Sequence, residues 1–114
     1  MDLQVLTSPK RKQQLESMVD NAVRASEFLK ALSHETRLMI LCLLSEKERS
    51  VGDLGKLLSL RQPAVSQHLA RLRGDGLVTT RRLGKTICYK IASEEARVIV
   101  GAVYNMFCKK PRKR

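Results

Sequence analysis

What this chain lacks narrows its class quickly. No apolar run is long enough to cross a bilayer: the longest, Leu38 to Leu44, falls far short of the roughly 20 residues a spanning helix needs. The N-terminus lacks the apolar stretch of a secretory signal, so a cytoplasmic protein with no membrane partner is expected. Cysteine is scarce and odd in number. Cys42, Cys88 and Cys108 are widely separated, which speaks against a secreted disulfide framework and leaves regulation as the field for any thiol chemistry. Histidine is scarcer still: His34 and His68 lie in unrelated stretches, so a transition-metal site would have to be improvised from residues without ligand spacing. Acidic residues are outnumbered, with 11 Asp+Glu against 22 Lys+Arg, a net charge of +11 on 114 residues.

That excess is the first positive signal. A field of this sign concentrates polyanions and makes their binding salt-dependent, so nucleic acid is the leading partner. A membrane surface fits less well, because the charge is not gathered on one amphipathic helix. The length permits one domain and 43% hydrophobic residues permit a core. A domain this small gains much from a partner subunit, so oligomerisation is expected.

Along the chain, residues 1–9 are unpatterned and read as a flexible N-terminus. Lys10-Arg11-Lys12 opens a helix with Leu15, Met18, Val19, Ala22, Ala25 and Leu29 at helical spacing. Ser33 is the expected N-cap of a second helix, with Glu35 in its first turn and the apolar run Leu38 to Leu44 buried on all sides. Ser50 with Asp53 resembles a capping box and opens a third helix that turns Leu54, Leu57 and Leu58 inward. A tight turn delivers a fourth helix from Gln62 to Arg73, with Pro63 in the first turn, where its missing N–H costs nothing. Val65, Leu69 and Leu72 share one face of it, while Pro63, Gln67, Ala70 and Arg71, with Ser66 beside them, point the other way.

Gly74 and Gly76 supply the backbone freedom that ends this helix. Val78–Leu83 and Thr86–Ile91 then form a hairpin around Gly84-Lys85, with Ile87, Tyr89 and Ile91 alternating inward and a tip made basic by Arg81, Arg82 and Lys85. Ser93, with Glu94 and Glu95, caps a last helix striped by Ala96, Ile99, Val100, Val103 and Phe107. Residues 109–114 form a basic tail. With no internal repeat or second domain, residues 10–108 are expected to be one DNA-binding and dimerisation domain.

The order helix, helix, helix-turn-helix, hairpin, helix is that of a winged helix-turn-helix, mainly α with a β-hairpin wing. Gln62-Pro63-Ala64-Val65-Ser66-Gln67-His68-Leu69, preceded by Ala31-Leu32-Ser33-His34-Glu35-Thr36-Arg37-Leu38 and followed by Asp75-Gly76-Leu77-Val78, resembles the ArsR/SmtB bacterial transcription regulators. The resemblance spans roughly residues 25–108. It implies a homodimer through the first and last helices, a recognition helix in each major groove of a palindromic double-stranded operator, and wings on the flanking backbone. No enzyme is implied.

Gln62, Ser66 and Gln67 match that family's DNA-facing positions, and their chemistry suits such positions, since glutamine pairs with adenine edges and serine with a base or a phosphate. His68 leans toward the packed side of its helix, so a structural, phosphate-contacting or base-reading role stays open. Arg71 and Arg73, with Arg81, Arg82 and Lys85 on the wing, suit phosphates, which position without specifying sequence. Arg61 stands where the family commonly has serine, exchanging a capping hydroxyl for a cation.

Many relatives in the resembled family sense metals, but the ligands are missing. Ser50 and Gly52, in Glu48-Arg49-Ser50-Val51-Gly52-Asp53-Leu54, stand where the arsenic-sensing pattern has cysteines, and no histidine follows His68 for a zinc-type site. No cofactor is expected. Cys42 taken alone is a small buried hydrophobe. Taken with Cys108, which ends the last helix in Tyr104-Asn105-Met106-Phe107-Cys108, it resembles the dithiol pair of the persulfide- and redox-responsive branch of BigR, SqrR and HlyU regulators. That resemblance implies a switch operated by reactive sulfur or oxidants as inducer. Cys88 reads as an incidental exposed thiol. A metal-responsive or thiol-independent regulator, or an architectural nucleic-acid protein without a ligand switch, are the competing readings.

Overall fold

A computed structural model describes residues 8–108. The expectations for most of residues 1–9 and for the tail 109–114 lie outside the described residues. The chain falls into two compact units, one ending at Lys30 and one beginning at Ala31.

The first unit is a helix, most of α1 (Pro9–Leu32). Ser8 starts it, its Oγ accepting a hydrogen bond from the Arg11 N–H at 3.1 Å. Leu15, Met18, Val19, Val23 and Leu29 share a face by helical spacing, and all five are exposed.

The second unit opens with the end of α1 and continues into α2 (Glu35–Glu46). The cap of α2 is His34 and not Ser33: its Nδ1 accepts the Thr36 N–H at 3.2 Å, an oxygen-free version of the usual side-chain cap. Ile40, Leu41, Cys42 and Leu44 are buried, but Met39 is 51% exposed, so the run is not covered all round. Helix α2 packs against strand β3 (Thr86–Ile91), helix α4 (Gln62–Gly74) and helix α5 (Glu94–Val103), which leaves its remaining side open.

A two-residue strand, β1 (Arg49–Ser50), precedes α3 (Val51–Leu58) and was not legible in the sequence. Ser50 caps α3 as expected, its Oγ accepting the Asp53 N–H at 3.1 Å. Leu54 is fully buried, whereas Leu57 is exposed, because a helix this short buries one narrow stripe and Leu57 falls on its solvent flank. Val65, Leu69 and Leu72 of α4 lie at the centre of the core with Ile40, Leu41, Leu54 and Val100, all with negligible exposure. Gly76, at φ +74°, ends α4 in a Schellman motif: Leu77 N–H reaches Leu72 O at 2.9 Å and Gly76 N–H reaches Arg73 O at 3.0 Å.

Strand β2 (Val78–Leu83) pairs antiparallel with β3, from Val78 opposite Ile91 to Leu83 opposite Thr86. Strand β1 joins the other edge of β3, giving the order β1-β3-β2. Gly84, at φ +64° in the two-residue turn, gives the hairpin its tight reversal. Only the base of the wing is core. Val78 and Ile91 are buried, Tyr89 is half-buried, and Ile87, expected inward, is 54% exposed because the hairpin outruns the helices beneath it. Cys88 is half-buried and not exposed, since β1 covers that stretch of β3.

Ser93 caps α5, its Oγ accepting the Ala96 N–H at 3.1 Å. A π-helical turn, Tyr104–Cys108, extends it. Of the expected stripe, Ala96 and Val100 are buried, while Ile99 and Phe107 are exposed together with Val98 and Met106. The last helix therefore has one apolar side in the core and another uncovered.

Candidate nucleic-acid interface and thiol elements

The reading head is built from the turn between α3 and α4. Ser59 takes the left-handed conformation at φ +54°, and Leu60 N–H closes on Gly55 O at 2.9 Å. A Cβ on Gly55 would stand 2.9 Å from the Leu60 carbonyl oxygen, so only glycine lets the chain fold back this closely. Arg61 is the N-cap of α4 and makes no side-chain capping bond, as its replacement of serine suggested.

Over the buried Val65, Leu69 and Leu72, helix α4 shows solvent Gln62, Pro63, Ser66, Gln67, Ala70, Arg71 and Arg73. Gln62, Ser66 and Gln67 thus lie together on an exposed face. His68 sits at its flank, half-buried, with its ring centroid 4.8 Å from that of His34. Burial, with His34 and Arg37 beside it, pushes the His68 pKa below the ordinary 6.5. Arg37 also donates from Nε to Ala31 O at 2.9 Å, satisfying a carbonyl at the end of α1.

The basic side chains do not stand alike. Arg71 Nε is paired with Asp75 Oδ2 at 2.9 Å, and Arg81 Nε with Glu48 Oε2 at 2.6 Å. Arg82 donates from Nε to Gly84 O at 3.0 Å at the hairpin tip, beside the exposed Lys85. Neither of those two, nor Arg73, has a carboxylate partner among the described residues. Glu48 and Asp75 were missed in the sequence; Asp75 had a detectable signal, since it stands four residues after Arg71 on a helix, while Glu48 meets Arg81 only through the unforeseen strand β1.

The thiol elements lie elsewhere in the same unit. Cys42 is buried in α2, which packs against α5 and the π-helical turn that ends at Cys108. The Cys108 side chain lies outside the described residues. The two elements are also tied by polar groups: Tyr104 OH donates to Glu46 Oε2 at 2.7 Å, and Arg49 bonds Glu46 Oε1 at 2.7 Å and, through Nε, Leu43 O at 3.1 Å. The hydrogen bond from Tyr104 and the nearby Arg49 hold the Glu46 carboxyl below its ordinary pKa, against a smaller opposing effect of burial. No group of three or more metal-capable side chains converges among the described residues. No described helix is long and apolar enough to cross a membrane.

A three-stranded wing beside an exposed polar helix, on a helical core, defines a winged helix-turn-helix protein. Residues 34–80 match the bacterial regulatory protein, arsR family. The transcriptional activator HlyU of Vibrio cholerae serotype O1 is 44% identical over 94 residues, covering 82% of this chain and 87% of that protein. The solved structure of reduced HlyU from Vibrio cholerae superposes with a TM-score of 0.78 at 43% identity, covering 82% of this chain and 98% of that one. The transcriptional repressor BigR from Xylella fastidiosa does so with a TM-score of 0.79 at 40% identity, over 87% of this chain and 98% of that one. The chain belongs to the ArsR family. It is a DNA-binding transcriptional regulator and not an enzyme.

Proposed function

We propose that the protein is a homodimeric repressor that binds an imperfect palindrome in double-stranded DNA, and that reactive sulfur or an oxidant lowers its operator affinity through Cys42 and Cys108. The observation that carries the DNA reading is the exposed Gln62, Ser66 and Gln67 face backed by the fully buried Val65, Leu69 and Leu72. A rigid helix with that face presents amide and hydroxyl groups to base edges in a major groove. Arg73, Arg82 and Lys85 supply phosphate contacts. The dimer reading rests on uncovered apolar surface: the α1 stripe, Val98 and Ile99 on the outer side of α5, and Met106 and Phe107 on the π-helical turn that extends it.

The switch reading rests on the packing of α2 against the turn that ends at Cys108, and on the likeness to HlyU, solved in its reduced form. One thiolate attacks the outer sulfur of a persulfide RSSH, takes that sulfur and releases RSH. The second thiolate attacks the protein-bound sulfur of the new Cys–S–SH, forming a disulfide and releasing hydrogen sulfide. Each further RSSH inserts one sulfur into the bridge and releases another RSH. A direct disulfide requires Cα atoms within roughly 7 Å, so the separation decides the bridge length. Joining α2 to the last helix shifts the dimer and with it the spacing of the two recognition helices.

The test is operator affinity of wild type, Cys42→Ser, Cys108→Ser and Cys88→Ser before and after persulfide, with the crosslink weighed by mass spectrometry. The operator is first selected from a random duplex pool. Cys42→Ser and Cys108→Ser bind normally and lose the response, of about 1–3 kcal/mol, while Cys88→Ser keeps it. The burial of Cys42, at 5% exposure, favours a second reading in which it is core filler and the regulator is thiol-independent. A response that survives in Cys42→Ser, or that vanishes only in Cys88→Ser, returns Cys42 to core filler. A wild type that does not respond to persulfide at all establishes the thiol-independent regulator.

A further inference from the structure

We propose that Glu48 sets the DNA affinity of the wing by holding Arg81 away from the phosphate backbone, so that two wing cations, Arg82 and Lys85, and not three, meet DNA. The inference rests on the reading of the hairpin as a backbone contact and refines which of its charges act. The sheet register makes the arrangement legible. Arg81 stands opposite Cys88, and Cys88 opposite Ser50, so the three form one row across β2, β3 and β1. Residues directly opposed across a sheet point to the same face, and along extended chain every second residue does too. Glu48, two residues before Ser50, therefore reaches the face that carries Arg81. Its Oε2 accepts from Arg81 Nε at 2.6 Å.

The consequence is directional. The Arg81 side chain runs back across β3 toward the chain ahead of β1, away from the Gly84-Lys85 tip. Arg82 alternates to the opposite face and is held at the tip by the Gly84 carbonyl, at 3.0 Å. For Arg81 to reach a phosphate, the Glu48 carboxylate would be left bare beside a polyanion. Arg82 and Lys85, with no carboxylate partner among the described residues, meet no such opposition. The side chains of Arg81 and Glu48 are 55% and 27% exposed, and an ion pair that open contributes little to folding. Its effect is on the count of cations available to DNA, and each phosphate neutralised adds about 0.9 to the salt slope of binding.

The experiment measures affinity for a random-sequence duplex over a salt series, using the full chain. Arg82→Ala lowers the slope by about one. Arg81→Ala leaves it unchanged. Glu48→Gln releases Arg81, steepens the slope by about one and raises affinity severalfold at moderate salt, and Arg81→Ala in the Glu48→Gln background removes that gain. Circular dichroism checks that each variant keeps the wild-type fold. If Arg81→Ala flattens the slope as much as Arg82→Ala, or if Glu48→Gln changes nothing while Arg82→Ala acts, Glu48 does not withhold Arg81 and the proposal is overturned on its own. If Arg82→Ala is without effect and Lys85→Ala is too, the wing does not touch DNA and the proposal is overturned along with that reading. If only Arg82→Ala is without effect, the count of two wing cations is wrong and the proposal is overturned on its own.

Discussion

Helices α1 and α4 carry apolar stripes of the same period with opposite fates. In α4, Val65, Leu69 and Leu72 are sealed in the core. In α1, Val19 is 61% exposed and Met18 58%, with Leu15, Val23 and Leu29 alongside. An apolar stripe at helical spacing shows that a face needs cover but not where the cover comes from. For α4 it comes from the same chain, which makes the reading head rigid as a consequence of folding. The α1 stripe stays uncovered among the described residues, and in the proposed dimer a second copy covers it, so the interface becomes a property of concentration. The last helix combines both, with Ala96 and Val100 inside and Met106 and Phe107 outside.

The largest effect separating the two stripes is on folding. Leu69→Ala empties a fully buried site and destabilises the protein by about 2–5 kcal/mol, read as a lower midpoint in urea unfolding. An equal loss from Met18→Ala would abolish the distinction.

The next effect is on assembly. Val19→Lys with Val23→Lys converts the dimer to a monomer in sedimentation and lowers operator affinity more than tenfold. The wild-type melting temperature rises with protein concentration, whereas that of the variant does not. A double variant that stays dimeric places the interface elsewhere.

The smallest effect sharpens the α4 side of the comparison. Because the folded pKa of His68 is lowered, the unfolded chain binds more protons in the window below about 6.5. The His68 contribution is therefore fully present above that pH and is lost as pH falls toward the folded value. Stability declines on mild acidification in urea titrations, and His68→Gln flattens the decline over that window. A variant with the wild-type pH profile would remove His68 from the account.

Much of the site was legible because its signals are local. Pro63 at the start of α4, the Ser50 and Ser93 caps, and the spacing of Val65, Leu69 and Leu72 each depend on neighbours within a turn or two. The misplacements have different causes. His34 caps α2 in place of Ser33, a choice between two adjacent residues that can both accept a backbone N–H. Ile87 alternates as an inward residue should, but period two says which face a side chain takes and not how far the core extends beneath it. Leu57 failed for the same reason, on a helix too short to bury a wide stripe. Strand β1 has only two residues and forms because β3 is there to receive it.

By itself, then, the sequence determined the helices, the hairpin register and the chemistry offered by the exposed side of α4, since periodicity, capping and turn residues act over short separations. It also determined the charge excess that draws the protein to a polyanion. Tertiary structure alone decided which of those charges are available: Arg81 meets Glu48 across a three-stranded sheet, and Tyr104 meets Glu46 from 58 positions away. Ion pairs and hydrogen bonds act over a few ångströms, and separation along the chain says nothing of separation in space.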